Sequence, residues 1–150
     1  MATTQKLFMD AIDKYCRDAN KFIKELALQM GQPDDLEQAL RIVRSVFHTL
    51  RDRIAPEESM HLVSQLPLIL KGIYVDGWKM SQQSGSKSLE DFLCDLRAAD
   101  MAAGYDFAND EAAHQKVRAV FNTLRQYIDD GELRHIIDGL PTEIANVIAA

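Results

Sequence analysis

The feature that most constrains this chain is that it resembles itself. Residues 43–70 laid without gaps over residues 117–144 give 12 identities in 28 positions, where chance supplies roughly one or two. The shared residues are Val43/Val117, Arg44/Arg118, Val46/Val120, Phe47/Phe121, Thr49/Thr123, Leu50/Leu124 and Arg51/Arg125, then Ile54/Ile128, Glu58/Glu132, His61/His135, Leu66/Leu140 and Pro67/Pro141. A fainter correspondence sets residues 22–26 beside residues 92–96, with a few extra residues before the second long helix. A unit this short cannot bury its own apolar face, so two copies are expected to share one core.

The periodicity is helical in both copies. In the first segment Leu7, Phe8, Ala11, Ile12, Tyr15, Ala19, Phe22, Ile23, Leu26, Ala27 and Met30 recur at spacings of three and four, the signature of one long amphipathic helix. Gly31 suits its C′ position. Its stripe exceeds what one short unit can cover, so this helix is expected to lie across both units or against a partner chain. Pro33, Asp34 and Asp35 then open a second helix, with the proline expected in its first turn. There Leu40, Val43, Val46, Phe47, Leu50 and Ile54 fall in a stripe about 120° wide. Pro56 starts a third helix, and Asp129 with Glu132 starts its counterpart. Pro67 and Pro141 interrupt the pattern and begin a short fourth helix, its inward residues Leu70, Ile73 and Tyr74 or Ile144, Val147 and Ile148. Ser88 and Asp91 mark the entry to the second unit. No run alternates strictly over strand length.

The expected fold is therefore all-α: a helical bundle built from two copies of a three-to-four-helix unit, pseudo-symmetric, within one domain spanning residues 1–150. Residues 20–76 form the first repeat with 1–19 as a helical extension, 77–88 a polar connector, and 89–150 the second repeat.

Composition removes several function classes. With 150 residues, 47% hydrophobic and 27% charged, the chain can build a core and is neither disordered nor fibrous. Lys71 cuts the longest apolar stretch, residues 66–75, so no membrane span is expected. The start lacks the basic and apolar regions of a signal peptide. Two cysteines, Cys16 and Cys94, make no disulfide framework; they read as reduced thiols at small core positions in a cytoplasmic protein. The net charge of −6 speaks against nucleic-acid binding. Residues 1–80 carry 11 basic and 11 acidic side chains against 6 and 12 in residues 81–150, so the second half holds all the net charge.

Three sets of residues stand out. Arg44 and Arg51, like Arg118 and Arg125, lie seven apart at the rim of a helix stripe. They read either as a cationic clamp for a carboxylate or phosphate or, preferred, as core-edge stems paired with acids, Glu58 and Glu132 being the obvious partners. His61 and His135 point away from the apolar centre of their helices. A ligand or pH-sensing role is open to them, but contact between the repeats is preferred, since no second His or Cys lies at metal-ligand spacing. Tyr74 and Trp78, flanked by Gly72 and Gly77, form either an exposed aromatic anchor for a partner protein or a plug folded back on the seam between units. No phosphate loop, nucleophile elbow or Cys-x-x-Cys pair is present, so no catalytic residues, cofactor or metal are expected.

The combination of Ala39-Leu40, the run from Val43 to Ile54, Pro56-Glu57-Glu58, His61-Leu62, Gln65-Leu66-Pro67 and Lys71 through Trp78 resembles the bacterial family known as domain of unknown function 2267. Asp130-Gly131-Glu132 and Leu140-Pro141 match its second half. Lys71 stands where that family tends to have Arg, and Phe22 where Trp is frequent. The resemblance implies a small all-helical protein with a duplicated domain and supplies no catalytic residues, substrate or cofactor. On the residues, the leading expectation is a non-catalytic protein-interaction module, able to form a homodimer, with Tyr74, Trp78 and the arginine rim as its contact surface. The alternative is a small-molecule binder with an apolar inter-helix pocket and an arginine-lined anion site.

Overall fold

The computed structural model describes residues 2–81, 83 and 86–149, and among them all regular secondary structure is helical. Chain order gives α1 (Ala2–Gln29), α2 (Leu36–Arg51), α3 (Pro56–Ser64), α4 (Leu68–Val75), α5 (Leu89–Ala98), α6 (Ala103–Asp106), α7 (Asp110–Leu124), α8 (Asp130–Asp138) and α9 (Thr142–Ala149). Of the connector expected over residues 77–88, Gln82, Ser84 and Gly85 lie outside the described residues. Gln83 within it donates its side-chain amide to the Ile54 carbonyl at 2.8 Å, which ties the connector to the chain just after α2.

Local chemistry explains most helix ends. Gly31 takes φ +75°, which only glycine adopts without strain. Around it Gln32 N donates to Ala27 O at 2.9 Å and Gly31 N to Leu28 O at 3.0 Å. This 6→1 and 5→2 pair is a Schellman ending that uses the orphan carbonyls of α1. Asp35 caps α2 through the Gln38 amide at 3.1 Å, so Pro33 precedes that helix instead of occupying its first turn. Pro56 sits at the start of α3, where its missing N–H costs nothing. Ser88 caps α5 through Asp91 N at 3.0 Å, Asn109 caps α7 through Ala112 N at 2.8 Å, and Asp129 caps α8 through Gly131 N at 2.9 Å.

Packing draws the two halves into one continuous core running from Ala19 to Ile148. Helices α2 and α7 meet at its centre. Within each half the last helix packs on an earlier one, α4 on α2 and α9 on α7. Across the halves α1 lies on α7, α5 on α2, and α3 on α8. The α3–α8 seam carries crossed histidine–carboxylate contacts. His135 Nε2 stands 2.8 Å from Glu58 Oε1, and His61 Nδ1 stands 3.6 Å from Glu132 Oε1.

Burial follows the periodicity with informative exceptions. Ala39, Ile42, Val43, Val46, Phe47 and Leu50 are buried, but Leu40, placed in the stripe by sequence, is 45% exposed. Cys16 and Cys94 are both exposed, which corrects the expectation of core positions. The largest departure is in α1. Its stripe is buried from Ala19 onward, whereas residues 3–18 are all exposed.

Candidate functional site

The C-terminal end of α4 collects most of the residues singled out by sequence. Arg51, on the last turn of α2, is buried and donates Nη1 to the Tyr74 carbonyl at 2.6 Å and to the Asp76 carbonyl at 2.8 Å. His48, one turn earlier, holds the Ile73 carbonyl at 2.7 Å from Nε2, so that nitrogen carries the proton. Both side chains thus satisfy backbone acceptors that a helix end leaves orphaned, where positive charge is also favoured by the dipole. Burial lowers the pKa of Arg51. It also lowers that of His48, against the bond to Ile73.

Behind this cap the aromatic rings stack. Tyr74 is fully buried, its hydroxyl 2.6 Å from Ser59 Oγ and its ring 5.2 Å from that of Phe47. Burial pushes its phenol well above the usual range. The Trp78 ring meets Tyr74 edge-on at 5.8 Å and 85°. Arg51 lies 6.0 Å over it, and the indole is half-buried against the core, its Nε1 without a partner among the described residues. Tyr74 therefore cannot serve as part of a contact surface, and Trp78 packs at the end of α4 against the core.

The arginines do not form a matched clamp. Arg44 is exposed and stands 3.7 Å from the exposed Asp76 carboxylate. Arg118 is half-buried, with the Val147 carbonyl at 3.5 Å and Glu111 at 3.6 Å. Arg125 is exposed and borders a shallow polar hollow with Asp130 and Arg134. Glu58 and Glu132, expected as arginine partners, are engaged by His135 and His61 instead. The reason is geometric: α3 and α8 face each other, so their first-turn acids meet the opposite helix and not the preceding one.

A second cluster was not legible in the sequence. Asp106, on the four-residue α6, is fully buried and accepts two bonds from Arg41, Nε to Oδ2 at 2.8 Å and Nη2 to Oδ1 at 3.0 Å. The buried Lys116 ammonium donates to the Asp106 carbonyl. Asp100 turns toward the same place, its Oδ1 accepting from the Ala102 amide and its Oδ2 buried. Burial, and then sharing a proton with Asp106, pushes the Asp100 carboxyl up to about 6. Burial also works against the Asp106 carboxylate, but bonds from Arg41 and Asp100 outweigh it and hold this group below the ordinary range. The cluster pins α6 between α2 and α7. Its only sequence signal is that Asp100 and Asp106 fall in the extra stretch before the second long helix. Among the described residues no group of three or more His, Cys, Asp or Glu side chains could hold a metal ion, and no helix is long and apolar enough to cross a membrane.

The third feature is the uncovered half of α1. Leu7 is 65% exposed, Phe8 64%, Met9 51%, Ile12 41% and Tyr15 37%. Phe8, Ile12 and Tyr15 continue, turn by turn, the line that Ala19, Phe22, Ile23 and Leu26 bury in the core. At its foot lies an apolar groove of about 380 Å³, lined by Cys16, Ala19, Asn20 and Ile23 of α1, Leu36, Glu37 and Leu40 of α2, and Ile69, Leu70 and Ile73 of α4. Glu37 is its one charged side chain, so the groove holds no arginine.

Comparison with protein families matches residues 19–147 to the family described as an uncharacterized conserved protein, domain of unknown function 2267. The chain belongs to this family. No curated protein matches it. The family match opens at Ala19, the residue at which α1 enters the core. The buried body and the family domain therefore nearly coincide, and the projecting half of α1 precedes both.

Proposed function

We propose that this member of the family is a non-catalytic protein-interaction module whose contact surface is the projecting half of α1 together with the groove at its foot. The observation that carries the reading is the uncovered stripe of Leu7, Phe8, Met9, Ile12 and Tyr15. A contiguous exposed apolar face of this kind marks an interaction site. Trp78 and the arginine rim leave the contact surface in this reading, because Arg51 and Trp78 serve the end of α4. The same occupation of Arg51 weighs against a small-molecule site in which paired arginines hold an anionic head group.

The body that presents the helix is read as two copies of one unit, residues 20–76 and 89–150, joined by 77–88 and related by a pseudo-two-fold axis. The sequence identities and the crossed pairs His61–Glu132 and His135–Glu58 support this. In the second copy the helix equivalent to the end of α1 is α5, which begins at Leu89 and has no such projection.

Photo-crosslinking tests the reading. A photoreactive residue in place of Leu7, in intact producing cells, is expected to yield protein adducts, whereas the same group in place of Lys87, exposed on the far side of the connector, yields none. Absence of adducts from Leu7 under conditions where the protein is folded would overturn the interaction module.

A further inference from the structure

The occupant of the α1 face can be argued from the face itself. Resting on the interaction reading, we infer that it is a second copy of this chain, with two α1 helices packed antiparallel about a two-fold axis near Ile12 and each helix start seated in the other copy's groove.

The first argument is the width of the face. At about 100° per residue, Thr4, Gln5, Phe8, Met9, Ala11, Ile12, Tyr15 and Cys16 span an arc of roughly 160° without one charged side chain, while Leu7 lies at its edge beside Lys14 and Asp18, and Lys6, Asp10, Asp13 and Arg17 crowd the remainder. Packing against one helix needs a stripe of only about 100°. This half of α1 is therefore made to be covered from two sides, by a helix and by a groove wall. The molecule carries both parts, and in the right order: the groove begins at Cys16, about 12 Å along the helix from Phe8 at 1.5 Å per residue. Antiparallel pairing centred on Ile12 sets Phe8 of one copy beside Cys16 of the other, against Leu40 and Ile69.

Such an arrangement is isologous, so both grooves fill at once and the assembly closes as a dimer. Charge agrees with it. The helix start that enters the groove carries no charge on its inner arc, and the one charged groove residue, Glu37, is exposed, so its carboxylate keeps its water. Size agrees too. The five exposed α1 side chains plus Leu36, Leu40 and Ile69, each 36–65% exposed, offer on the order of 100 Å² apiece, close to the roughly 800 Å² per partner of a specific interface.

Sedimentation velocity of the full chain, from micromolar to sub-millimolar concentration, tests this. The mass is expected to rise from 16.9 kDa to twice that value. Phe8→Asp with Ile12→Asp, and separately Leu40→Asp, should hold it at the monomer with unchanged helical circular dichroism; all three positions are exposed in one copy, so the fold does not depend on them. In a Cys94→Ser background, Phe8→Cys should give an oxidant-dependent dimer through Cys16 of the other copy, and the parent with Cys16 alone should not. A wild-type monomer at every concentration would overturn the second copy as occupant, as would a dimer that survives both sets of aspartates. A dimer without the Phe8→Cys link would overturn the antiparallel register. Monomeric protein whose Leu7 crosslinks to a different protein in cells would sink the dimer and leave the interaction reading standing; no crosslink of either kind would sink both.

Discussion

Arg51 and Arg125 occupy corresponding positions in two nearly identical stretches, yet one is buried on the carbonyls of Tyr74 and Asp76 and the other lies in water. The difference lies downstream. Asp76 and Trp78 close over Arg51, whereas Arg125 only borders a polar hollow with Asp130 and Arg134. Nothing in the local sequence of α2 or α7 carries that information, which is why a paired clamp looked reasonable from spacing alone. Arg51→Ala strips donors from two carbonyls and support from the Trp78 ring, so it should lower unfolding free energy by about 1–3 kcal/mol. Arg125→Ala should stay within about 0.5 kcal/mol of wild type; denaturant titration of both variants checks the contrast. Asp100 allows a pH test with a definite sign. Its folded pKa lies above the ordinary 3.8, at about 6, so folding binds a proton in that window and this group's contribution weakens stability as pH rises from about 4 to 6. Asp106 acts oppositely, since its depressed pKa means stability is lost only as pH falls through it. Asp100→Asn keeps a donor toward Asp106 and removes the buried charge. It should therefore raise stability near neutral pH by about 1 kcal/mol, after allowance for solvent at this half-buried site, and flatten the profile between pH 4 and 6. Equal slopes in variant and wild type would refute the shared proton.

Elements were more legible than sites. Helix starts were signalled by Asp35, Pro56, Ser88 and Asp129, and the end of α1 by Gly31, because capping chemistry is local and leaves residue-type signatures. The short α6 had no such signature: Ala102 makes no side-chain cap, and its anchor, Asp106, is held by Arg41 from 65 residues away. The amphipathic stripe of α1 was equally clear in sequence, and so was its excess over what one unit can cover. What periodicity does not say is where coverage stops. That depends on the length of the helices beneath it, and the boundary falls at Ala19. Since residues 2–15 contribute nothing to the core of one copy, their removal should leave the melting temperature of dilute, monomeric protein within a few degrees of the full chain. Removal extended through Phe22, which is fully buried and stacks at 5.1 Å on Tyr127, should destabilise by about 3–5 kcal/mol. Thermal melts of the two truncations locate the boundary. A large loss already at residue 15 would place part of that segment in the folded body.

At the scale of the whole molecule, the described helices share one core across both halves of the chain: α1 covers α7 and α5 covers α2, while α3 and α8 meet at crossed His–Glu pairs. The all-helical class followed from periodicity alone. The candidate site did not, because an interaction surface is defined by what the fold leaves uncovered, and that emerges only when every other stripe has found its partner. In this chain one half-helix has not. The central claim is that its face is covered by association and not within one copy. Amide hydrogen exchange on the native protein over a range of concentrations tests it most directly. Residues 19–29 should be protected at every concentration, since the body buries them. Residues 3–18 should exchange rapidly when dilute and gain protection of at least tenfold as concentration rises, with the gain abolished by Phe8→Asp and Ile12→Asp. Protection of residues 3–18 equal to that of residues 19–29 in dilute monomer would contradict the account, as would rapid exchange there in both concentrated protein and intact cells.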